Sequence, residues 1–178
     1  SPGRSSRRSV QPVLMSAAVS TVDHWLGKLT RLRAASGNAT DGVSGAAPHK
    51  PLLLLSILDL AESGKLLGRV LTRAPELVLR FRELGTLVAE RWPTRLEFRL
   101  PFYHLKTQGF WQAFTAEMQP AYAPQSCMVI ELDPTLFELL ADRDFRVKAR
   151  LVLVSRYFNE IERAALFEFL GLVSAGTA

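Results

Sequence analysis

A histidine and a lysine stand at the predicted start of the most apolar helix in the sequence. His49 and Lys50 come directly before Pro51, and the run Leu52–Leu55 follows. Proline suits the first turn of a helix, because its ring fixes a helical φ and its missing N–H is not needed there. A helix N-terminus attracts phosphate through its unbonded N–H groups, and these two side chains would strengthen the attraction. The alternative is that His49 caps the helix and Lys50 is solvated.

A second group of candidate residues follows an alternating apolar pattern. Apolar side chains at every second position predict a half-buried strand that contains Leu96, Phe98, Leu100 and Phe102. The opposite face would then carry a cation, a rigid apolar ring and an aromatic ring with polar residues nearby, namely Arg99, Pro101, Tyr103, His104, Lys106 and Gln108. This mixture suits contact with a DNA backbone that includes a group less polar than oxygen. A plain edge strand is the alternative.

The net charge of +5 is distributed unevenly along the chain. Residues 1–106 hold 16 Lys and Arg against 8 Asp and Glu, whereas residues 107–178 hold 6 against 9. A basic first part followed by an acidic end indicates one face that binds a polyanion such as DNA. The alternative is a solvated helix surface that happens to be rich in arginine.

Composition excludes several classes of protein. A chain of 178 residues with 48% hydrophobic content is long and apolar enough for one folded domain. Its single cysteine excludes a disulfide scaffold and favours a cytoplasmic location. Three scattered histidines and two asparagines supply neither a zinc site nor an HNH nuclease centre. We therefore expect no metal, no cofactor, no membrane span and no catalysis in this chain.

The remaining patterns predict a single α+β domain, mainly helical, with a short β-hairpin or edge strands. Helices are predicted to begin near Thr21, Pro51, Pro75 and Pro134, after Asp142 or Asp144, and after Asn159. The third of them is predicted to be capped by Thr72 and to run to Glu90. Short extended pieces are predicted at Leu66–Leu71 and Met128–Leu132, and Phe110, Trp111 and Phe114 predict a second strand or an aromatic lid.

Three sequence runs resemble a known family. They are APHKPLLLLSILDL (Ala47–Leu60), LPFYHLKTQGFW (Leu100–Trp111) and RYF (Arg156–Phe158). Together they are similar to the sulfur-binding domain of type IV, phosphorothioate-dependent restriction endonucleases, in which this domain is joined to a C-terminal HNH nuclease. The resemblance covers Val19 to Leu172. It implies binding of duplex DNA in which sulfur replaces a non-bridging phosphate oxygen, with the sulfur in a shallow non-polar cavity.

The resemblance also implies roles for individual residues. Pro101 matches the cavity proline of the family, Leu100 stands where some members have tyrosine, and His104 falls near a position that is often small. If Leu100 faces inward instead, the cavity wall would be Pro101 with Tyr103 or His104. The pair of His49 and Lys50 matches a His-Arg or His-Lys pair near the DNA.

One departure from the family concerns the loop after the predicted hairpin. Relatives carry an arginine there, whereas Ala121–Cys127 contains none, and Tyr122, Pro124 or Gln125 could substitute for it. Base edges in the major groove could be read by a small set of polar residues, His49, Lys50, Gln108 and Gln125.

The expected domain layout has three parts. We expect a flexible basic arm over 1–18, the DNA-binding domain over 19–172 and a flexible tail over 173–178. The expected function is the targeting module of a bacterial restriction endonuclease that acts on modified DNA. The competing functions are a DNA-binding or protein-interaction module with no preference for sulfur, and a nuclease in its own right.

Overall fold

The computed structural model describes residues 21–33 and 47–172. Within these ranges, helices surround one small antiparallel sheet. This confirms the predicted α+β class with mainly helical content and short strands. The predicted arm over 1–18 and the predicted tail over 173–178 lie outside the described residues.

Seven α-helices and three strands follow one another along the described parts of the chain. The helices are α1 (residues 21–30), α2 (His49–Glu62), α3 (Pro75–Thr86), α4 (Arg99–His104), α5 (Pro134–Leu140), α6 (Arg143–Tyr157) and α7 (Glu160–Phe169). The strands are β1 (Val70–Thr72), β2 (Trp111–Phe114) and β3 (Val129–Leu132), and two 3-10 turns lie at Leu105–Gln108 and Pro124–Ser126. Strand β3 is central and pairs antiparallel with β1 on one side and β2 on the other.

Helix α2 lies at the centre of the core. Its residues 51–58 are all buried, and it packs against α3, α4 and α6. Burying a leucine side chain contributes about 1.5–3 kcal/mol relative to leaving it in water, so this apolar stretch anchors the domain. Because α2 is held along its length, the position of its N-terminus is also fixed.

The predicted strand over residues 96–103 is wrong, because this segment contains helix α4. The buried side chains Phe98, Phe102 and Leu105 are spaced by four and then three residues, which is the period of a helix. The indole Nε1 of Trp111 donates to the carbonyl oxygen of Phe102 at 2.8 Å and ties β2 to this helix. The apolar alternation at 96–102 is present in the sequence, but the helical spacing determines the structure.

Two helix starts, those of α2 and α3, differ from their predictions, and the structure decides between two predicted caps for a third helix. Helix α2 begins at His49, so Pro51 is its third residue and both His49 and Lys50 are helical. Thr72 lies in β1 and does not cap α3, which has Ala74 at its N-cap position and ends at Thr86. The third, α6, takes Asp142 as its cap.

The predicted starts of α5 and α7 are confirmed by their caps. Asp133 accepts from the backbone N–H of Thr135 at 2.8 Å and starts α5. Asn159 starts α7 through a reciprocal capping box with Glu162, in which each side chain accepts from the backbone N–H of the other. Each pair of bonds satisfies N–H groups that a helix start would leave unpaired.

The end of α1 is bound to α6. The hydroxyl of Tyr157 donates to the carbonyl oxygen of Leu29 and accepts from the N–H of Leu32 at 2.9 Å. Arg156 Nε donates to the carbonyl oxygen of Thr30 at 3.0 Å. These bonds hold residues 31–33 in place, where they meet the start of α2.

Candidate nucleic-acid interface

Basic side chains from three elements meet beside the start of α2. Helix α4 packs against α2. Burial lowers the pKa of His104, and the positive charges of Lys50 and Lys106 lower it further. The two segments that the sequence singled out, one at residues 49–50 and one at residues 99–108, therefore lie together in the folded chain.

The ammonium group of Lys50 is fixed in position by hydrogen bonds to the protein. Its Nζ donates to the carbonyl oxygen of Arg33 at 2.6 Å and to Oε1 of Gln108 at 2.7 Å. Burial lowers the pKa of Lys50, and the nearby charge of Arg33 acts in the same direction. An ammonium group has three donors, so these two bonds leave one N–H for an anion.

Gln108 connects α1, α2 and the 3-10 turn that follows α4. Its Oε1 accepts from Lys50 and from the N–H of Arg33, and its Nε2 donates to the carbonyl oxygen of Arg31 at 3.2 Å. Its backbone oxygen accepts from Lys28 Nζ at 2.9 Å. Since both ends of this amide are bonded within the protein, Gln108 holds Lys50 in position.

His49 occupies a protected position. Its ring meets the ring of Trp92 edge-on, with centroids 5.9 Å apart. Burial lowers its pKa, and the opposing effect of Glu97 is smaller. The imidazole is therefore neutral at pH 7 and has one donor and one acceptor nitrogen, so the charge at the start of α2 comes from Lys50.

Helix α4 places Leu100, Pro101 and His104 on one side of its first turns. Residues at i and i+4, and at i and i+3, are neighbours on a helix surface, whereas a strand would separate Leu100 from Pro101. Pro101 is buried, Leu100 is half-buried and His104 is exposed. The helix places Leu100 and Pro101 at adjacent positions in the element that packs against α2.

Lys106 lies between two aromatic rings. Its Nζ is 4.5 Å from the ring centroid of Tyr103 and 5.6 Å from that of Tyr122, and it donates to the carbonyl oxygen of Ala121 at 2.9 Å. Tyr103 in turn meets His104 edge-on at 5.1 Å. Lys106 thus joins α4 to the loop between β2 and β3.

Two of the predicted residues, Arg99 and Gln125, lie at exposed positions nearby. Arg99 is the first residue of α4, and its Nε is 2.7 Å from Oε2 of Glu97. Gln125 is exposed in the 3-10 turn Pro124–Ser126, which contacts α4. The contacts above join six of the remaining predicted residues, namely Lys50, Tyr103, His104, Lys106, Gln108 and Tyr122. The other three are placed by their helices, His49 by α2 and Leu100 and Pro101 by α4.

Arg73 is a residue of this region that the sequence did not single out. It follows β1 directly, and its guanidinium donates to the carbonyl oxygens of Pro124 and Cys127. The loop that lacks an arginine of its own is therefore held by one from another element. No local signal marks Arg73, since the contacts join residues 51 and 54 positions apart.

Residues 21–33 and 47–172 lack two features that mark other classes of protein. In these ranges no three His, Cys, Asp or Glu side chains form a group that could hold a metal ion. No helix in the same ranges combines the length and apolar character that crossing a bilayer requires.

Comparison with known proteins gives matches among solved structures. No protein-family model matches the chain, and no curated protein matches it in sequence. The sulfur-binding domain of SprMcrA, solved in complex with phosphorothioated DNA, aligns with a TM-score of 0.57 and 21% identity over 87% of this chain and 96% of that one. The sulfur-binding domain of ScoMcrA, also solved with phosphorothioated DNA, aligns with a TM-score of 0.57 and 20% identity over 84% and 96% of the two chains.

These alignments confirm the sequence resemblance at the level of the fold. They span 96% of each sulfur-binding domain, so the likeness is one of overall fold and not of a local segment. The chain therefore has the fold of the sulfur-binding domains of SprMcrA and ScoMcrA.

Proposed function

We propose that this chain binds duplex DNA carrying a phosphorothioate linkage and seats the sulfur against Leu100, Pro101 and His104. The main support is the first part of α4, where two apolar side chains lie beside a group of cations at the start of α2. The fold shared with two domains solved on phosphorothioated DNA supports the same conclusion.

The chemistry of sulfur explains why an apolar wall would discriminate. Sulfur in a phosphorothioate is larger and less strongly hydrated than oxygen, while the group keeps its negative charge. A phosphate oxygen placed against C–H surface loses water without gaining a hydrogen bond, which costs about 1–3 kcal/mol. The proline ring of Pro101 offers such a surface in a fixed position, because its φ is locked.

General affinity comes from the cations around this wall. Lys50 and Lys106 are positioned by hydrogen bonds to the protein and carry charge that attracts any phosphate. Arg99 pairs with Glu97 at the surface, where such a pair contributes at most about 1 kcal/mol, so a DNA phosphate can displace the carboxylate. These side chains do not distinguish sulfur from oxygen.

We assign the recognition of DNA bases to residues with polar groups that can bond to a base edge. Neutral His49 has a donor and an acceptor nitrogen, and Gln125 is exposed on the neighbouring loop. Gln108 is assigned a positioning role, because its amide already bonds to Lys50, Arg31 and Arg33.

In this proposal the chain is the targeting module of a bacterial restriction endonuclease that acts on modified DNA. Recognition resides in this domain, and cleavage resides in an HNH domain elsewhere in the full protein. The competing proposal is a DNA-binding or protein-interaction module that ignores sulfur, which the exposed aromatic ring of Tyr122 would also suit.

The deciding experiment measures binding to three matched duplexes by fluorescence anisotropy. One duplex is unmodified, and the others carry a single Rp or a single Sp phosphorothioate. Each titration is made at two salt concentrations, and a parallel incubation with Mg²⁺ or Mn²⁺ tests for cleavage. The desolvation cost given above predicts a preference of roughly 5- to 150-fold for one diastereomer.

The outcomes separate the functions. A preference for one diastereomer that persists at both salt concentrations supports sulfur recognition. Equal binding of the three duplexes assigns the chain to sequence- or charge-directed DNA binding, and no binding leaves the protein-interaction function. Cleavage that depends on the metal would show that the chain is itself a nuclease.

A further inference from the structure

The loop between β2 and β3 is closely held although it lies at the surface. Within it Ala121 and Cys127 are buried, whereas Tyr122 between them is 82% exposed. The N–H of Ala121 donates to the carbonyl oxygen of Ala113 at 3.0 Å, and that of Met128 donates to Phe114 at 2.9 Å. The loop therefore has a fixed base and projects one aromatic side chain into solvent.

The exposed ring lies on the same side of the molecule as the proposed DNA site. Lys106 Nζ contacts the rings of both Tyr103 and Tyr122, so Tyr122 lies next to the cation that neighbours His104. A tyrosine hydroxyl is a common donor to DNA phosphate oxygens. A duplex seated on α4 would meet Tyr122 at its edge.

Arg73 braces this loop from the opposite side. Its Nε donates to the carbonyl oxygen of Cys127 at 2.8 Å, and its Nη2 donates to that of Pro124 at 2.7 Å. A guanidinium holds its donors in a rigid planar fork, so two bonds from one arginine fix the separation and direction of two carbonyl groups. The turn Pro124–Ser126 is thereby anchored to the end of β1.

We propose that Arg73 is a positioning residue of the DNA interface: it sets the loop so that Tyr122 contacts the backbone of the bound duplex. This inference rests on the proposed DNA-binding function. In this proposal Arg73 acts on the loop and not on the DNA, because its two bonds are directed into the loop base. Tyr122 is the residue through which it acts.

The test is a double-mutant cycle with Arg73→Ala, Tyr122→Ala and the double variant, measured on modified and unmodified duplexes. The loss of one positioned hydrogen bond to a charged group predicts about a tenfold weaker Kd for either single variant on every duplex. The double variant is expected to bind no more weakly than the weaker single variant, because the second change removes an interaction already lost.

Arg73→Lys separates position from charge. Lysine keeps the positive charge but loses the planar fork, so this variant is expected to bind as weakly as Arg73→Ala, with the salt dependence of the wild type. Arg69→Ala is the matched control, since Arg69 lies just before β1 and bonds to Glu131 and to the carbonyl oxygen of Leu132, away from the loop. It is expected to bind nearly as the wild type.

Several results would overturn the inference. Independent, multiplicative losses in the double variant would show that Arg73 does not act through Tyr122, and normal binding by Arg73→Lys would make its charge the important property. If the wild type shows no sulfur preference but the coupling between Arg73 and Tyr122 is present, the proposed function fails and the positioning role stands. If the wild type binds no duplex, both fail.

Discussion

In the proposed interface, Lys50 and Pro101 have different roles. Lys50 supplies charge from a position fixed by Gln108 and Arg33, and charge attracts sulfur-modified and ordinary phosphates equally. Pro101 supplies only apolar surface at the start of α4. Affinity and discrimination are therefore expected to change separately when these two residues are substituted.

Pro101→Ala is expected to reduce the preference for sulfur by roughly three- to tenfold, because it removes ring carbons from the apolar wall. Affinity for the unmodified duplex should change little. The ratio of Kd values for the two duplexes is the measurement, with circular dichroism melting as a check on the fold. Pro134→Ala, in the exposed first turn of α5, is the control. Equal loss on both duplexes would make Pro101 a structural residue only.

Lys50→Ala is expected to weaken binding to every duplex and to reduce the slope of log K against log salt by about 1, as loss of one phosphate contact does. The preference for sulfur should survive. Lys65→Ala is the control, because Lys65 pairs with Glu76 beyond the other end of α2. An unchanged slope in Lys50→Ala would remove Lys50 from the phosphate contacts.

Among the elements, the starts of α5 and α7 could be predicted from the sequence, whereas helix α4 could not. The starts of α5 and α7 follow from Asp133 and Asn159, because a capping side chain acts on backbone only two or three residues away. Residues 96–105 carry two apolar periods at once, and packing against α2 selects the helical one. The contacts of Gln108 and Arg73 join distant parts of the chain, so no local pattern reveals them.

The turn between α4 and β2 depends on Gly109. Its φ of +81° is unfavourable for other residues, and a Cβ placed there would lie 2.5 Å from Lys28 Nζ. Gly109→Ala is expected to lower the free energy of unfolding by about 1–2 kcal/mol from the backbone alone, with an added cost for moving Lys28. Urea denaturation measures the change.

Substitutions at two other glycines distinguish the cost of the backbone conformation from the cost of moving Lys28. Gly64 has a φ of +73° but nothing within 4 Å of an added Cβ, whereas Gly68 has open space and no positive φ. The expected order of destabilisation is Gly109→Ala, then Gly64→Ala, then Gly68→Ala. Equal effects at 109 and 64 would mean that Lys28 moves aside at no cost and that its bond to Gln108 is not important for stability.

Across the whole molecule, the interface draws its cations from the basic part of the chain. Lys28, Arg33, Lys50, Arg99 and Lys106 all precede residue 107, and the acidic remainder builds β2, β3 and the helices α5–α7. This separation would orient an approaching polyanion toward the start of α2. The predicted basic face therefore rests on charges that the fold collects from distant segments.

A buried ion pair links α7 to the segment that supports His49. Arg91 Nε is 2.8 Å from Oε2 of Glu162, with side chains only 6% and 5% exposed, and Trp92 beside it packs on His49. Glu162→Ala is expected to cost about 3–5 kcal/mol of folding free energy, because it leaves the buried charge of Arg91 without this carboxylate. Urea denaturation gives the value, and Glu160→Ala in the same turn is the exposed control. A change below about 1 kcal/mol would show that the pair is no more important than a surface salt bridge.

Cys127 gives the protein a natural reporter on the loop that Arg73 braces. It is the only cysteine in the chain, it is fully buried, and its carbonyl oxygen accepts from Arg73. A thiol reagent can reach its sulfur only in molecules whose loop has lifted, so the labelling rate measures how often that happens. Bound duplex should slow labelling and Arg73→Ala should speed it, which would make the motion of this surface measurable without any introduced probe.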